Sequence, residues 1–321
     1  MLAVTAIALN PSDPLAGLSI GDHAEPIVPA GWEIVEVRAA TLNHHDLWTL
    51  EGVGMTEDRL PIVLGCDAAG IAADGREVVV HAVIADSPGE EGLLSGGFSI
   101  LSELHDGTFA ERVAVPAANL VDKPLDLSFE EAACLPTAWL TAFRMLFTRG
   151  ELRPGQRVLI QGAGGGVATA ALVLARAAGI HVTVTSRDAD KLTRASDLGA
   201  HEVVVSGERL PHRVHAVMDT VGEATWDHST KALEPGGVVV VAGATSGHLP
   251  ATDLRRMFYR QLRVVGSTMG TRFELQKLLS FLSATGARPI IDEVRPLSDA
   301  RAAFEQLAAG DVFGKLALTN G

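Results

Sequence analysis

The sequence predicts an α/β protein in which a β-rich region precedes a doubly wound parallel sheet. Three observations support this prediction. From residue 157 onward, short apolar strands alternate with helices, a pattern typical of parallel sheets with right-handed crossovers. The first 120 residues instead contain segments with the two-residue alternation of half-buried strands. At 321 residues, the chain is long enough for two domains that each bury a core.

The β-rich region is predicted from three segments with strand character. They cover residues 33–42, 76–84 and 109–117. Residues 85–107 are rich in Gly, Ser and acidic side chains, and we expect them to form a long loop. Residues 128–150 have helical periodicity, with a possible Ser128–Glu131 capping box at the start and Pro136 interrupting the middle.

The alternating region is predicted to contain the parallel sheet. Its strands are expected within residues 157–162, 181–187, 201–206, 215–222, 237–243 and 262–268. Its helices are expected within residues 166–179, 188–199 and 223–236. The remaining segments are a helix at 272–286, a strand and turn at 288–299, a helix at 300–310 and a strand at 314–320. We expect this last part of the chain to return to the first domain.

Composition and charge exclude several classes of protein. Apolar residues make up 47% of the chain, but no apolar run approaches the roughly 20 residues needed to cross a bilayer. The N-terminal segment lacks a basic region and contains Pro11 and Pro14, so we expect no signal peptide and a cytoplasmic protein. A net charge of −13 argues against general binding to nucleic acid or to anionic membranes. With only two cysteines, Cys66 and Cys134, neither a disulfide framework nor a four-cysteine zinc site can form.

A glycine-rich turn follows the first strand of the alternating region. Residues 158–179 read VLIQGAGGGVATAALVLARAAG, in which Ala163-x-Gly165-x-x-Ala168 fits the relaxed form of the G-x-G-x-x-G motif. Glycines at this turn let the backbone approach a pyrophosphate at the N-terminus of the following helix. Because the motif lies between a strand and a helix, it predicts a Rossmann nucleotide-binding domain.

The end of the second strand predicts which dinucleotide is bound. An NAD enzyme places Asp or Glu there to hold the ribose 2′-hydroxyl. Here the strand ends at Ser186 and Arg187, and Lys191 follows one turn later. A hydroxyl and two cations suit a 2′-phosphate, which favours NADPH. Asp188 and Asp190 follow closely and are candidate helix caps.

Several motifs together resemble those of a known superfamily. Besides the glycine turn, the chain contains TLNHHDLWTLEG at 41–52, LPIVLGCDAAG at 60–70 and VFGKLAL at 312–318. In their order and spacing, these motifs resemble the medium-chain dehydrogenase/reductase superfamily, and within it the zinc-free quinone oxidoreductase-like branch. The resemblance implies a GroES-like catalytic domain built from residues 1–124 and 271–321, and a Rossmann NADP-binding domain at 125–270. It also implies a homodimer that pairs through the nucleotide-binding sheet.

The resemblance implies a set of contacts with the cofactor NADPH. The nicotinamide and its ribose, the pyrophosphate, the 2′-phosphate and a segment that closes over the cofactor would each have their own residues. In chain order these are Thr137, Gly164, Gly165, Gly166, Val167, Ser186, Arg187, Lys191, Ala242, Gly243, Ser267, Thr268, Met269, Phe313, Gly314 and Lys315.

The same resemblance argues against a metal. Zinc-dependent members of the superfamily carry Cys at the position of Asn43 and His at that of Cys66, with a third ligand near Ala133 or Cys134. Asn is a poor zinc ligand, and the loop at 85–107 has no cysteine. We therefore expect no metal site.

An alternative metal site would use His44, His45, Cys66 and Asp67. Adjacent side chains on a strand point to opposite faces, so we expect His44 and His45 to diverge, and both cannot easily bind one ion. Cys66 and Cys134 are then expected to be small buried apolar residues.

The expected reaction is a metal-free transfer of hydride from NADPH to a quinone or an α,β-unsaturated carbonyl compound. By its position in the family, Asn43 would donate a hydrogen bond to the developing oxyanion, and His45 would donate a proton. Asp46 would brace the loop, and Trp48, Phe98 and Leu104 are candidates for lining the acceptor pocket, although ordinary packing explains each of them better.

Other functions stay open at this point. A zinc-type alcohol dehydrogenase is one, and an enoyl-thioester reductase is another. The thioester reductase would need a tyrosine acid near residues 60–80, whereas the only tyrosine is Tyr259. Some relatives are crystallins or RNA-binding proteins that hold NADPH, but the acidic charge of this chain disfavours that reading.

Overall fold

The structure, a computed structural model, describes residues 1–87 and 89–320. These residues form two compact units. Unit 1 contains the described residues of 1–138, 270–284 and 291–320, and unit 2 contains 139–269 and 285–290. Residues 125–138, which the sequence placed with the nucleotide-binding domain, lie in unit 1.

The first part of unit 1 is built mainly of strands, with short helices between them. The strands are β1 (Leu2–Ala6), β2 (Leu18–Asp22), β3 (Trp32–Thr41), β4 (Ile62–Val63), β5 (Asp67–Ala72), β6 (Glu77–Val80), β7 (Val83–Ile84), β8 (Ser99–Ile100), β9 (Arg112–Pro116) and β10 (Leu120–Asp122). The helices are α1 (His44–Glu51), α2 (Glu90–Leu94) and α3 (Phe129–Ala133), and single 3-10 turns lie at Pro14–Gly17, Glu57–Arg59 and Ala117–Asn119.

Unit 2 is the region of alternating strands and helices. Its strands are β11 (Arg157–Ile160), β12 (His181–Ser186), β13 (Glu202–Val205), β14 (Val214–Asp219), β15 (Leu233–Val241) and β16 (Arg263–Gly266). Its helices are α4 (Leu140–Phe143), α5 (Gly166–Ala177), α6 (Ala189–Asp197), α7 (Glu223–Ala232) and α8 (Leu254–Arg260). Turns of π-helix lie on either side of α4, at Leu135–Trp139 and Arg144–Arg149.

The chain ends with α9 (Arg272–Thr285), β17 (Ile291–Pro296), a 3-10 turn (Leu297–Asp299), α10 (Ala300–Ala309) and β18 (Lys315–Thr319). The last strands join the main sheet of unit 1, whose strand order is β10-β6-β5-β3-β18-β17, with β9 also paired to β3. Helix α3 packs on β3 and β5, which explains why residues 125–138 belong to this unit.

The sheet of unit 2 has the strand order β13-β12-β11-β14-β15-β16, and each neighbouring pair is parallel. The order reverses direction at β11, so crossovers place helices on both faces of the sheet. A core around Leu159, Val217, Trp226 and Val239 stabilises it. The predicted α/β fold, with a β-rich unit and a doubly wound parallel sheet, is confirmed.

Two local expectations differ from the structure. The segment at 85–107 is not simply a loop, since it contains α2 and β8. Helix α8 was not expected, because its short apolar-and-basic sequence has no clear period.

The predicted Ser128–Glu131 capping box is confirmed: the Glu131 backbone N–H donates to Ser128 Oγ, and the Ser128 backbone N–H donates to the Glu131 carboxylate.

The two histidines do not lie on a strand, and that expectation is wrong. They occupy the first turn of α1, where Asp46 accepts a 2.7 Å hydrogen bond from the backbone N–H of Asn43. Gly52 ends the helix in the left-handed conformation, with φ 89°. Neighbouring residues of a helix point in different directions but not to opposite faces, so the argument against a shared ion needs a different basis.

Among the described residues, no helix has the length and apolar character that crossing a bilayer requires.

Candidate active site

The centre of the site in unit 1 is a buried polar network. Lys315 Nζ donates hydrogen bonds to the carbonyl oxygen of Leu42 at 2.7 Å, to Asn43 Oδ1 at 2.6 Å and to Asp67 Oδ2 at 3.1 Å. Asp67 Oδ2 also accepts from Asn43 Nδ2 and from Thr41 Oγ1, both at 2.8 Å. The side chain of Lys315 is 2% exposed and that of Asp67 is fully buried.

Strand register brings these residues together. In the antiparallel pairing of β3 with β5, Thr41 lies opposite Asp67. On the other side of β3, Thr41 lies opposite Ala317 of β18, two residues after Lys315. The end of β3 is therefore flanked by the start of β5 and the start of β18, and Asn43 follows it after one residue, Leu42.

This network occupies the amide of Asn43. Its oxygen accepts from Lys315, and its nitrogen donates to Asp67 and, at 3.4 Å, to the carbonyl of Thr41. The expected role of Asn43 as a free donor to a substrate oxygen does not fit this geometry. Asn43 instead links the buried ion pair to the start of α1.

His45 lies between a carboxylate and a thiol. Its Nε2 is 3.1 Å from Glu103 Oε1, and its Nδ1 is 3.3 Å from Cys66 Sγ. Glu103 is held in turn by the backbone N–H of Ile100, which donates to Oε2 at 3.0 Å. The Cys66 thiol donates to the carbonyl of Leu101 at 3.3 Å. The sequence did not single out Glu103, because it lies 58 residues from His45 within a segment without clear periodicity.

The surroundings of His45 favour its protonated form. Burial alone would lower its pKa, but contacts with Cys66, Glu103 and Asp46 outweigh burial and hold the pKa of His45 well above its usual value. Burial raises the pKa of the Cys66 thiol to about 11 and that of the Asp46 carboxyl to about 6. The raised pKa of His45 favours its imidazolium form, and the raised pKa of Cys66 favours its thiol form.

The other predicted residues around α1 differ in exposure. His44 is exposed, and its ring lies 6.3 Å from that of Trp48. Trp48 and Phe98 are partly buried, whereas Leu104 is exposed. Cys134 is buried, and its thiol donates to the carbonyl of Glu130 at 3.2 Å, as expected for a packing residue.

A metal would have to use His45, Asp46 and Cys66, whose ligand atoms lie within 4.8 Å of one another. A zinc ion bound there would have to displace the protons of the thiol and of the imidazole. Here the pKa values of His45 and Cys66 are both raised. Both ring nitrogens of His45 also have partners already.

In unit 2, the glycine turn has the geometry of a phosphate-binding loop. Gly162 and Gly164 have φ of 78° and 106°, a region that favours glycine. Gly165 caps α5, Gly166 and Val167 begin that helix, and a Cβ on Gly165 would meet no other atom within 4 Å. The first N–H groups of α5 are thus available to an anion.

The end of β12 presents the residues predicted to contact a 2′-phosphate. Arg187 is exposed and Lys191 is partly exposed. Asp188 is the N-cap of α6, because its carboxylate accepts from the backbone N–H groups of Asp190 and Lys191. Ser186 is buried, and its Oγ accepts from the backbone N–H of Asp188 at 3.1 Å.

Two hydroxyls predicted to contact the cofactor lack partners. Thr137 Oγ1 and Ser267 Oγ are both buried without a hydrogen-bond partner in the described part of the chain. Such atoms are uncommon in folded proteins unless a ligand or water satisfies them. In this respect the residues present fit a bound dinucleotide.

The remaining predicted cofactor residues occupy strand ends and the start of β18. Ala242 and Gly243 follow β15, and Ser267, Thr268 and Met269 follow β16. Phe313 is buried, and Gly314 has φ of 113°. Lys315 points its ammonium into the buried network, so its expected place over the cofactor does not fit the contacts that it makes.

A second buried network in unit 2 was not expected from the sequence. Asp219, at the end of β14, accepts from the backbone N–H groups of Val221 and Gly222. It also accepts from the hydroxyls of Thr225 and Ser229, the latter at 2.7 Å. This carboxylate fixes the turn between β14 and α7.

Comparisons with known proteins agree with this geometry. Residues 29–125 match the alcohol dehydrogenase GroES-like domain, and residues 166–284 match the zinc-binding dehydrogenase family. The chain is 31% identical to a zinc-type alcohol dehydrogenase-like protein of Schizosaccharomyces pombe, covering 90% of each chain. It is 29% identical to an acryloyl-coenzyme A reductase of Metallosphaera sedula, covering 94% of this chain and 96% of that one. A crystal structure of an NAD-dependent alcohol dehydrogenase is 34% identical and covers 100% of both chains, with a TM-score of 0.90.

Proposed function

The chain belongs to the medium-chain dehydrogenase/reductase superfamily of oxidoreductases, and we propose that it transfers hydride from NADPH to a quinone or an α,β-unsaturated carbonyl compound without a metal. The observation that carries this proposal is the closed network of Asn43, Asp67 and Lys315. In this network the Lys315 ammonium contacts Asn43, the position at which zinc-dependent members of the superfamily carry their first zinc ligand. An acceptor reduced here has to be electrophilic by itself.

The metal-free part of the proposal can be tested separately. Both ring nitrogens of His45 already have partners, Glu103 and Cys66, and this contact also occupies the Cys66 thiol. We expect elemental analysis of protein purified without chelators to give substoichiometric zinc. One zinc per chain would contradict this part of the proposal, even if the chain reduces quinones.

Bound NADPH would supply the hydride. The N–H groups at the start of α5 would hold its pyrophosphate. Arg187 and Lys191 would pair with the 2′-phosphate, where an acidic residue would repel it. One similar structure is of an NAD-dependent enzyme, so the preference for NADPH rests on this chain's own residues at the end of β12.

His45 would donate the proton that completes the reduction. Its Nδ1 lies against the buried thiol of Cys66, whereas Nε2 lies against Glu103, whose side chain is 27% exposed. The proton that can leave is therefore the one on the Nε2 side. For an enone, hydride adds to the β-carbon, and this proton neutralises the resulting enolate. For a quinone, hydride and proton together give the hydroquinone.

A second candidate acceptor is an enoyl thioester. The similarity to an acryloyl-coenzyme A reductase favours it. A tyrosine acid does not, since Tyr259 is 83% exposed on α8 of unit 2. The thioester reaction would then depend on His45 as well.

The deciding experiment is a panel of acceptors with each cofactor. We expect oxidation of NADPH, faster than that of NADH, with a benzoquinone or an enone. Faster turnover of crotonyl-CoA would favour the thioester candidate, and oxidation of alcohols would favour a dehydrogenase. Cofactor binding without turnover of any acceptor would contradict the proposal. His44→Gln serves as the matched control for His45→Gln, and we expect only the second substitution to slow the reaction.

We also propose that the chain forms a homodimer through β16. This strand ends the sheet of unit 2, and Val264 on it is 47% exposed. The adjacent helix α8 exposes Leu254, Phe258 and Tyr259. An edge strand with apolar neighbours is a template for pairing with another chain. Light scattering should give twice the mass of the chain, and Val264→Lys should reduce it to a monomer.

A further inference from the structure

We propose that the Lys315 ammonium is a tethered cation, which occupies an oxygen-lined site for a small monovalent cation and acts there as a positioning residue for Asn43. The site consists of the Leu42 carbonyl, the Asn43 side-chain oxygen and the Asp67 carboxylate. The proposal concerns how unit 1 is built. It depends on the proposed function only where activity is measured.

The geometry is that of a complete cation site. An ammonium group has three N–H donors, and Lys315 directs them to three oxygens at 2.6 to 3.1 Å. A backbone carbonyl, an amide oxygen and a carboxylate are also the ligands that hard metal cations prefer. The protein has thus assembled the ligand set of a cation site and filled it with its own side chain.

The three oxygens require a cation because the other donors near them do not offset the negative charge of Asp67. Asp67 Oδ2 accepts from Thr41 and Asn43 as well as from Lys315, but the first two donors are uncharged. Asp67 Oδ1 is buried and has no hydrogen-bond partner within the described ranges. Without the ammonium, the oxygens of Leu42, Asn43 and Asp67 would face one another with no positive charge between them, and the buried Asp67 carboxylate would have no counter-charge.

The same contact fixes the orientation of Asn43. Lys315 cannot accept a hydrogen bond, so it determines that the amide oxygen of Asn43 faces it and that the amide nitrogen faces Asp67. Because Asn43 precedes α1 directly, this orientation sets the start of the helix that carries His45. Lys315 therefore acts on the site through Asn43.

Chemical rescue of Lys315→Ala tests the proposal. The substitution removes three carbons and the ammonium, which together match n-propylammonium. We expect the melting temperature of Lys315→Ala to be lowered and then restored by n-propylammonium chloride in a saturable manner. n-Propanol, the uncharged analogue of equal size, should restore little of it, and so should tetramethylammonium chloride at equal ionic strength, whose cation is too bulky for the site and has no N–H donor.

Lys315→Met is the matched control, because its side chain fills the space and leaves no cavity. We expect n-propylammonium to leave its melting temperature unchanged. An equal response of Lys315→Met, or equal rescue by n-propanol, would overturn the proposal. If Lys315→Ala does not fold, the decision passes to Lys315→Met and Asp67→Asn/Lys315→Met. The double variant should then be the more stable of the two, and a double variant of equal or lower stability would overturn the proposal.

Measuring kcat distinguishes a positioning role of Lys315 from a merely structural role. With n-propylammonium at saturation, Lys315→Ala should regain a large part of kcat. Lys123→Ala supplies the comparison, since Lys123 is also buried but binds the carbonyls of Pro124 and Leu127. It should lower the melting temperature without lowering kcat of the folded protein. Recovery of stability without recovery of kcat would overturn the positioning role. If the wild type reduces no acceptor, the proposed function fails while the melting experiment still decides the cation site.

Discussion

Asp67 of unit 1 and Asp219 of unit 2 are completely buried carboxylates that are stabilised in different ways. Asp67 is paired with the ammonium of Lys315. Asp219 has no such cation among the partners that the structure gives it, and accepts instead from two backbone N–H groups and two hydroxyls. Its N–H donors belong to the turn before α7, where the positive end of the helix dipole favours a negative charge.

The difference between Asp67 and Asp219 indicates at which positions of a fold a buried charge needs a counter-charge. At the start of a helix, unpaired N–H groups converge, and a carboxylate can be satisfied by neutral donors. At the end of β3, the neighbouring oxygens of Leu42 and Asn43 are acceptors, so only a cation can satisfy them together with Asp67. We infer that removing charge from the two carboxylates has unequal effects.

Asp67→Asn should have the largest effect. It leaves the buried ammonium of Lys315 without its counter-charge, and we expect the free energy of unfolding to fall by about 3–5 kcal/mol. Denaturant titration measures this. Asp122→Asn, at an exposed carboxylate that pairs with Arg76, is the control and should leave stability unchanged. Equal stability of Asp67→Asn and the wild type would show that the ion pair has no net importance.

Asp219→Asn should cost less, about 1–2 kcal/mol. The amide oxygen can still accept from Val221 and Gly222, and the hydroxyl of Ser229 can accept from the new amide nitrogen. The same titration applies. A loss of stability as large as that of Asp67→Asn would contradict the comparison. A carboxylate satisfied by neutral donors would then depend on its charge as strongly as one that is paired with a cation.

Arg187→Ala tests a charge that unit 2 keeps at the surface. An exposed guanidinium should contribute to binding of a phosphate and hardly to stability. We expect the preference for NADPH over NADH in kcat/KM to fall about tenfold, equivalent to about 1.4 kcal/mol, with an unchanged melting temperature. Arg194→Ala, at the other end of α6, is the control. Unchanged selectivity would refute the role of Arg187.

Glu103→Gln tests a partly exposed pair in unit 1 and should have the smallest effect. Without the carboxylate, the pKa of His45 should fall, so the alkaline limb of the kcat/KM profile should move to lower pH by about 1 pH unit. The stabilisation from charged His45 is present below its unfolded pKa and is lost as pH rises through its folded pKa. That loss should shift in the same direction. His45→Gln should remove the limb, and a profile unaffected by either substitution would exclude His45 as the proton donor.

Local patterns in the sequence predicted the features that local chemistry determines. The glycine turn is such a feature, since a strand, glycines and a helix follow one another within residues 158–179. Helix α1 could have been predicted in the same way. Asn43, Asp46 and Gly52 are its capping residues, whereas the two adjacent histidines were interpreted as residues of a strand.

The partners of the site residues could not be predicted from such patterns. Lys315 and Asn43 are 272 residues apart, and Glu103 and His45 are 58 apart. The contact of Lys315 depends on which strand pairs with the end of β3, and that pairing depends on the packing of the whole sheet. A lysine within a family motif suggested a cofactor contact, whereas its strand partner directs it into the core.

The distance of 272 residues between Asn43 and Lys315 also has a consequence for the order of folding. Most of unit 2 is one continuous stretch, residues 139–269, whose strands can pair as soon as they have been synthesised. The main sheet of unit 1 cannot close until β18 has left the ribosome. The oxygens of Leu42, Asn43 and Asp67 therefore lack the Lys315 ammonium through most of synthesis, and β3 lacks its neighbour β18.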